Sequence, residues 1–113
     1  MINLEKAEKY EWGNLCYGWH LLKNNQLGII QELMPPGTEE KLHQHLKAQQ
    51  FFYILKGSAV FTIDDKTEVL QANEGIEVRP LTWHKIKNNG NVDLEFLVIS
   101  EPHSHEDRVN SND

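Results

Sequence analysis

Residues 37–57 read GTEEKLHQHLKAQQFFYILKG, and the pair of histidines in His43-Gln44-His45 is the most informative local pattern in the chain. In an extended segment, residues i and i+2 point to the same side, so both imidazoles face one point while Gln44 faces away. Imidazole nitrogen binds transition-metal ions at roughly 2.0–2.1 Å. Two such rings on one strand face therefore make half of a metal site, which a third histidine and an oxygen donor would complete.

A third histidine and an oxygen donor are both available further along the chain. His84 begins a segment in which it alternates with the apolar Ile86, as expected for a strand with one buried face. Gln49 and Gln50 can each supply the oxygen, because both faces of the strand that they begin are apolar and parity leaves the choice open. The alternative is that the His-x-His pair is a chance surface feature.

The rest of the chain alternates short apolar runs with turn-forming residues. Runs of this length, rich in β-branched and aromatic residues, predict an all-β sandwich or barrel. Asp64-Asp65 predicts a hairpin tip and Asn89-Gly90 a second one, since Asn and Gly tolerate positive φ. The predicted strands are Gly18–Leu22, Leu27–Met34, Phe51–Leu55, Ala59–Ile63, Glu68–Gln71, Ile76–Arg79, His84–Lys87 and Leu94–Ser100.

Length and composition indicate one soluble domain. The chain has 113 residues, of which 39% are hydrophobic, and a formal net charge of −6. An acidic chain without a basic stripe is a poor partner for nucleic acid or an anionic membrane, and its short apolar runs cannot span a bilayer. The single Cys16 excludes an internal disulfide, and the N-terminus lacks the apolar run of a signal peptide. We therefore expect a cytoplasmic protein.

The quoted stretch resembles the first motif of the cupin superfamily. That motif reads Gly, five residues, His-x-His, three or four residues, Glu, six residues, Gly. Gly37, His43, His45 and Gly57 stand at matching positions, and Gln50 stands where the family usually has Glu. The motif spacing thus favours Gln50 over its neighbour as the oxygen donor.

Residues 73–88, NEGIEVRPLTWHKIKN, are similar to the second cupin motif. That motif reads Gly, five residues, Pro-x-Gly, two residues, His, three residues, Asn, and His84 and Asn88 match its last two positions. Asn73 and Leu81 replace its two glycines. Asn is the residue after Gly that best accepts the left-handed backbone region, whereas the leucine predicts a differently shaped turn before His84.

The resemblance covers most of the chain and implies a single cupin domain over residues 1–113. Its barrel core is expected over about 15–101, with an N-terminal arm at 1–14 that is loose or forms a short edge strand. The tail at 102–113, expected to fray or lie over the surface, is similar to the Pro-x-x-His-x-Asp-Arg tail of small single-domain cupins and contains Asp107-Arg108.

The family implies an all-β, cupin-type double-stranded β-helix (jelly-roll) barrel with a divalent transition-metal ion. The implied ligands are His43, His45, Gln50 and His84, and the ion is Fe, Mn, Ni, Zn or Cu. Because the Gln50 amide is neutral, the ion keeps its full charge, so affinity should fall and bound water should become more acidic. Alternatively, Gln50 hydrogen-bonds a ligand or water instead of the ion.

The resemblance implies a small-molecule pocket and leaves two functions open. One is a metal-dependent dioxygenase, isomerase or lyase, and the other is a non-catalytic binding or sensing module; a structural barrel with hydrogen-bonded core histidines is a third, weaker reading. Neither a dinucleotide fingerprint nor a phosphate loop is present. Conceivable acid–base residues are His20, Glu32, Lys41 and Tyr53, and none stands out. By analogy with other small β-barrels, we expect a homodimer.

Overall fold

The computed structural model describes residues 1–104 and 107–112, and within them the chain is an all-β protein of eleven strands with no helix. This part of the chain therefore holds no helix long and apolar enough to cross a membrane. The strands are β1 (Glu8–Trp12), β2 (Cys16–Lys23), β3 (Gly28–Met34), β4 (His43–His45), β5 (Gln49–Lys56), β6 (Ser58–Ile63), β7 (Lys66–Gln71), β8 (Gly75–Val78), β9 (His84–Lys87), β10 (Leu94–Glu101) and β11 (Arg108–Asn110).

Two antiparallel sheets enclose one core. The six-stranded sheet has the order β1-β2-β3-β10-β5-β8, and the five-stranded sheet has the order β11-β4-β9-β6-β7. The chain crosses repeatedly between the sheets, which is the connectivity of a jelly roll and confirms the predicted fold class. Along β10, Leu94, Phe96 and Val98 are buried between the sheets, while Leu97 and Ile99 face outward. The largest fully buried apolar side chains are Phe61, Phe96, Met34, Ile54, Ile86 and Leu94.

Each of the eight predicted strands is present, with boundaries shifted by at most two residues. Three more strands occur: β1, β4 and β11. Strand β1 pairs with β2 at the edge of its sheet. Of the two possibilities for the N-terminal arm, a loose segment or a short edge strand, the structure shows the edge strand. Strand β11 pairs with β4, so part of the expected surface tail extends the five-stranded sheet. Residues 105, 106 and 113 of that tail lie outside the described residues.

One of the two predicted hairpins is confirmed and the other is wrong. Asp64 and Asp65 join β6 to β7, which pair directly, and both have positive φ, at 46° and 67°. Asn89-Gly90 joins β9 to β10, and these strands belong to different sheets. The sequence shows that the chain turns at this point, but the sheet that the next strand joins depends on long-range pairing.

The two motif glycines that are replaced both keep a left-handed backbone. Asn73 has a φ of 69° and Leu81 a φ of 64°. The first agrees with what we expected for asparagine. At the second, the backbone takes a conformation that glycine adopts freely, although the side chain is large. The Leu81 amide donates a hydrogen bond to the His45 carbonyl at 2.8 Å, and this bond joins the turn before His84 to strand β4.

Leu81→Gly should raise the free energy of unfolding by up to about 1 kcal/mol, because a left-handed conformation costs a non-glycine residue roughly 1–2 kcal/mol. Little packing is lost, since the leucine is 61% exposed. The matched control is Leu22→Gly, an exposed leucine in a strand, which should lower stability by roughly 0.5–1 kcal/mol. Urea denaturation measures both. Equal destabilisation by the two substitutions would contradict the strain at Leu81.

Candidate metal centre

Three histidines meet inside the barrel on two adjacent strands. His43 and His45 are buried at the two ends of β4, and the strand register pairs His43 directly with His84 on β9. The ring of His43 lies 5.2 Å from that of His45 and 4.2 Å from that of His84. One nitrogen from each ring lies within 4.8 Å of the others, so the group could hold a metal ion.

Backbone carbonyls orient two of these rings. Nδ1 of His43 lies 2.8 Å from the Lys41 carbonyl oxygen, and Nδ1 of His84 lies 2.8 Å from that of Thr82. A carbonyl oxygen only accepts, so Nδ1 carries the proton in each ring and Nε2 keeps its lone pair. Nε2 of His84 is buried with no hydrogen-bond partner among the described residues. Backbone contacts of this kind are typical supports of metal-binding histidines.

The three imidazoles are neutral at neutral pH. Burial, followed by the charge that His84 would carry, lowers the pKa of His43 to about 3 and that of His45 to about 4. Burial also lowers the pKa of His84. A histidine must be unprotonated to bind a metal, so the cavity maintains the form that metal binding requires.

Gln50 lines the same cavity as His43 and His45, and Gln49 does not. Gln50 is buried on the inner face of β5, whereas Gln49 is exposed and donates a hydrogen bond to Glu101. Nε2 of Gln50 donates to Ser100 Oγ at 3.0 Å. Its Oε1 is buried with no hydrogen-bond partner in the described part of the chain. An unpaired amide oxygen beside three neutral imidazoles fits the donor set of a divalent metal ion.

The cavity, about 230 Å³ in volume, also holds ionisable groups. The Tyr10 hydroxyl donates to Glu32 Oε2 at 3.2 Å. Burial, followed by the neighbouring charge of Glu40, raises the pKa of Glu32 to about 8. Burial likewise raises the pKa of Glu40 to about 7. The polar lining residues are Tyr10, Glu32, Glu40, His43, His45, Gln50, Ser104 and Arg108.

Only one of the four conceivable acid–base residues lines this cavity, namely Glu32. Lys41 is exposed, and Tyr53 lies on the outer face of β5. His20 is buried outside the cavity lining, with its ring 5.0 Å from that of Tyr10. The sequence did not show which face of its strand or loop each of these three residues occupies.

Two charged lining residues, Glu40 and Arg108, were not among the predicted site residues. Glu40 gave no signal in the sequence, because it stands next to the exposed Glu39 and the two look alike. Arg108 did give a signal in the sequence, because it belongs to the Asp-Arg pair of the tail that is similar to that of small cupins. The pairing of that tail with β4 is what brings the arginine to the cavity.

A two-sheet jelly roll with an interior group of three histidines that could hold a metal ion defines the class of protein, and comparisons with known proteins identify the family. The sequence model described as "Cupin domain" matches residues 30–100. The chain therefore belongs to the cupin family. An uncharacterized protein of Methanocaldococcus jannaschii is 34% identical over 89 residues, which cover 78% of this chain and 71% of the relative.

Other relatives differ in what their names describe. An oxalate-binding protein of Thermotoga maritima is 36% identical over 66 residues, covering 58% of this chain and 54% of that protein. Among solved structures, a predicted oxalate decarboxylase from Thermotoga maritima has a TM-score of 0.83 at 24% identity, covering 91% of this chain and 99% of that one. A sugar phosphate isomerase from Silicibacter pomeroyi has a TM-score of 0.81 at 17% identity, covering 100% and 82%. These structural likenesses confirm the fold.

The buried rings predict a pH dependence for the stability of the metal-free protein. Below pH 6.5, the ordinary histidine pKa, His43 becomes protonated in the unfolded chain, whereas in the folded protein it stays neutral down to about pH 3. The contribution of His43 to the free energy of unfolding is therefore complete above pH 6.5. It falls on acidification, and at pH 5 it is lower by about 2 kcal/mol. Glu32 and Glu40 act in the opposite direction, since their raised pKa values favour the folded state as pH falls from 8.

Comparison with His43→Gln isolates the histidine effect from that of the carboxyls. The difference in free energy of unfolding between the parent protein and this variant should change by about 2 kcal/mol between pH 7 and pH 5. Guanidinium denaturation at both pH values, in the presence of a chelator, measures it. Parallel pH curves for the two proteins would show that His43 is not held neutral.

Proposed function

We propose that the protein is a metal-dependent binding barrel for a small carboxylate. The ion is a divalent transition metal, Fe, Mn, Ni, Zn or Cu, and its ligands are His43, His45, His84 and the Gln50 amide oxygen. The observation that carries the proposal is the group of three buried, neutral rings whose nitrogens lie within 4.8 Å of one another. Two of these rings, His43 and His45, line a cavity in which the Gln50 oxygen has no hydrogen-bond partner among the described residues. A bound ion supplies a Lewis-acidic centre, and the chain supplies its orientation and enclosure.

The charges in the cavity support an anionic ligand. Three neutral imidazoles and a neutral amide leave the +2 charge of the ion uncompensated, whereas the glutamate usual in the family would cancel part of it. A carboxylate ligand supplies the missing negative charge and an oxygen donor that such ions accept. The cavity of about 230 Å³ suits a molecule of a few heavy atoms. The similarity to an oxalate-binding protein supports oxalate as the probe.

A metal-dependent enzyme, in particular a lyase or isomerase, is the second candidate, and one observation favours it. Glu32 lines the cavity with a raised pKa of about 8, so it is protonated at neutral pH and can donate a proton to a bound molecule. Incubating metal-loaded protein with oxalate and following product formation by NMR separates the two candidates. Turnover that disappears in Glu32→Gln supports the enzyme, and unchanged oxalate supports the binding protein.

Metal-loaded protein, freed of excess ion, should bind oxalate in isothermal titration calorimetry, and the metal-free protein should not. His43→Ala combined with His45→Ala should lower metal affinity by more than about 100-fold, since loss of even an outer supporting contact typically costs 10–100-fold. His103→Ala, a histidine outside the cavity lining, is the matched control and should bind metal as the parent does. Equal metal content in the double variant and the parent protein would refute the ligand assignment.

Gln50→Glu sharpens the same test. The added carboxylate should tighten metal binding and weaken oxalate binding, because it supplies negative charge that the ligand otherwise brings. Gln49→Glu is the control, since Gln49 is exposed on the opposite face of β5 and should change neither affinity. If Gln50→Glu leaves metal affinity unchanged, Gln50 does not ligate the ion.

We further propose a homodimer formed by the outer face of the six-stranded sheet. This face carries a row of apolar side chains across neighbouring strands: Phe51 on β5, Leu97 and Ile99 on β10, and Ile29 on β3. Phe51 is 41% exposed. A contiguous apolar face of this kind on a small barrel is typical of a protein–protein contact.

Leu97→Lys should convert the dimer to a monomer, because it places a charge at the centre of the proposed contact. Size-exclusion chromatography with light scattering measures the mass. Val69→Lys, at an exposed valine of β7 in the other sheet, is the matched control and should leave the mass unchanged. A monomeric parent protein, or a Leu97→Lys variant that stays dimeric, contradicts this contact.

A further inference from the structure

Strand β11 brings a positive charge to the candidate metal centre from the far end of the chain. It pairs antiparallel with β4, with Arg108 opposite His45 and Asn110 opposite His43. Directly opposed residues on paired strands share a face, and His45 faces the interior. Arg108 accordingly lines the cavity.

The carboxylate of Asp107 holds this strand in place. It accepts hydrogen bonds from three consecutive backbone amides in the turn that follows His45, those of Leu46, Lys47 and Ala48, at distances between 2.8 and 3.2 Å. The Leu46 amide also donates to the Asp107 carbonyl at 3.2 Å. The residue before Arg108 is thus tied to the residues after His45, so the arginine and the histidine keep a fixed spacing.

The guanidinium of Arg108 retains binding capacity towards the cavity. Its Nε donates to Asn110 Oδ1 at 2.8 Å. Its Nη1 lies 4.0 Å from Glu40 Oε2, which is long for an ion pair, and Glu40 is itself bonded to the Ile86 amide. The arginine side chain is 38% exposed, so it sits at the mouth of the cavity. Within residues 1–104 and 107–112, its terminal nitrogens make no hydrogen bond, and such a guanidinium is well matched to a carboxylate.

We propose that Arg108 determines ligand specificity: it binds one carboxylate of a small dicarboxylate whose other oxygens lie at the metal centre. Asp107 is a positioning residue that holds Arg108 there. The inference rests on the proposed function and adds that the ligand has two acidic groups, one for the metal centre and one for the arginine that lines the same cavity as His43 and His45.

Titration of oxalate and of acetate into manganese-loaded protein tests the role of Arg108. Arg108→Gln should weaken oxalate binding by about 10–100-fold, as expected for loss of charge-assisted hydrogen bonds. Acetate binding and the affinity for Mn²⁺, measured by competition with a chelator, should stay the same. Arg79→Gln is the matched control, because this arginine is 77% exposed and lies outside the cavity lining. Arg108→Lys, which keeps the charge but loses the planar donor pair, should give an intermediate loss.

A double-mutant cycle tests the positioning role of Asp107. Asp107→Asn should weaken oxalate binding in the parent protein and have no further effect in the Arg108→Gln background, because it acts through the arginine. A purely structural role would lower oxalate affinity equally in both backgrounds.

The outcomes distinguish the inference from the function on which it rests. If the parent protein binds oxalate and Arg108→Gln binds it equally well, the role of Arg108 is wrong and the proposed function stands. If the manganese-loaded parent binds neither oxalate nor acetate, the proposed function fails and this inference fails with it.

Discussion

Three imidazole rings share the interior of the barrel because strand geometry and burial act on them together. The two-residue period of β4 places His43 and His45 on one face, and the antiparallel register with β9 places His84 directly opposite His43. Removal from water then keeps the rings neutral. In an exposed site, a metal ion would compete with protons for the same ring nitrogens near neutral pH. The enclosing barrel therefore defines the chemistry of the group as much as the rings do.

The cavity is completed by segments far apart in the sequence. Gln50 comes from the six-stranded sheet and its amide is held by Ser100 on the adjacent strand. Glu32 comes from β3, and its hydroxyl partner Tyr10 comes from the edge strand β1. Arg108 arrives on the last strand. Each contributes charge or a hydrogen bond at a place that no local pattern specifies, so the balance of charge in the cavity depends on the whole barrel.

The departures from the cupin motifs separate backbone requirements from chemical ones. Asn73 and Leu81 replace glycines, yet both keep positive φ, so the turns are retained. The turn at Leu81 is further fixed by its hydrogen bond to His45. Gln50 in place of Glu is different, because it leaves the backbone alone and changes the charge beside the histidines. The fold therefore tolerates all three changes, and of these only the change at Gln50 removes a potential charge from the cavity.

Eight of the eleven described strands and the shared face of His43 and His45 could be predicted from the sequence, because apolar alternation and His-x-His parity are local properties. The cupin fold followed from the resemblance to the two family motifs. The sequence also indicated Gln50 through motif spacing, although parity left Gln49 open. The pairing of strands in three dimensions was needed to see that Asn89-Gly90 joins two different sheets and that Arg108 and Glu40 reach the cavity. The physical reason is that strand partners in a sheet are chosen by long-range hydrogen bonding and burial, and a three-residue strand such as β11 carries too few residues to reveal its partner.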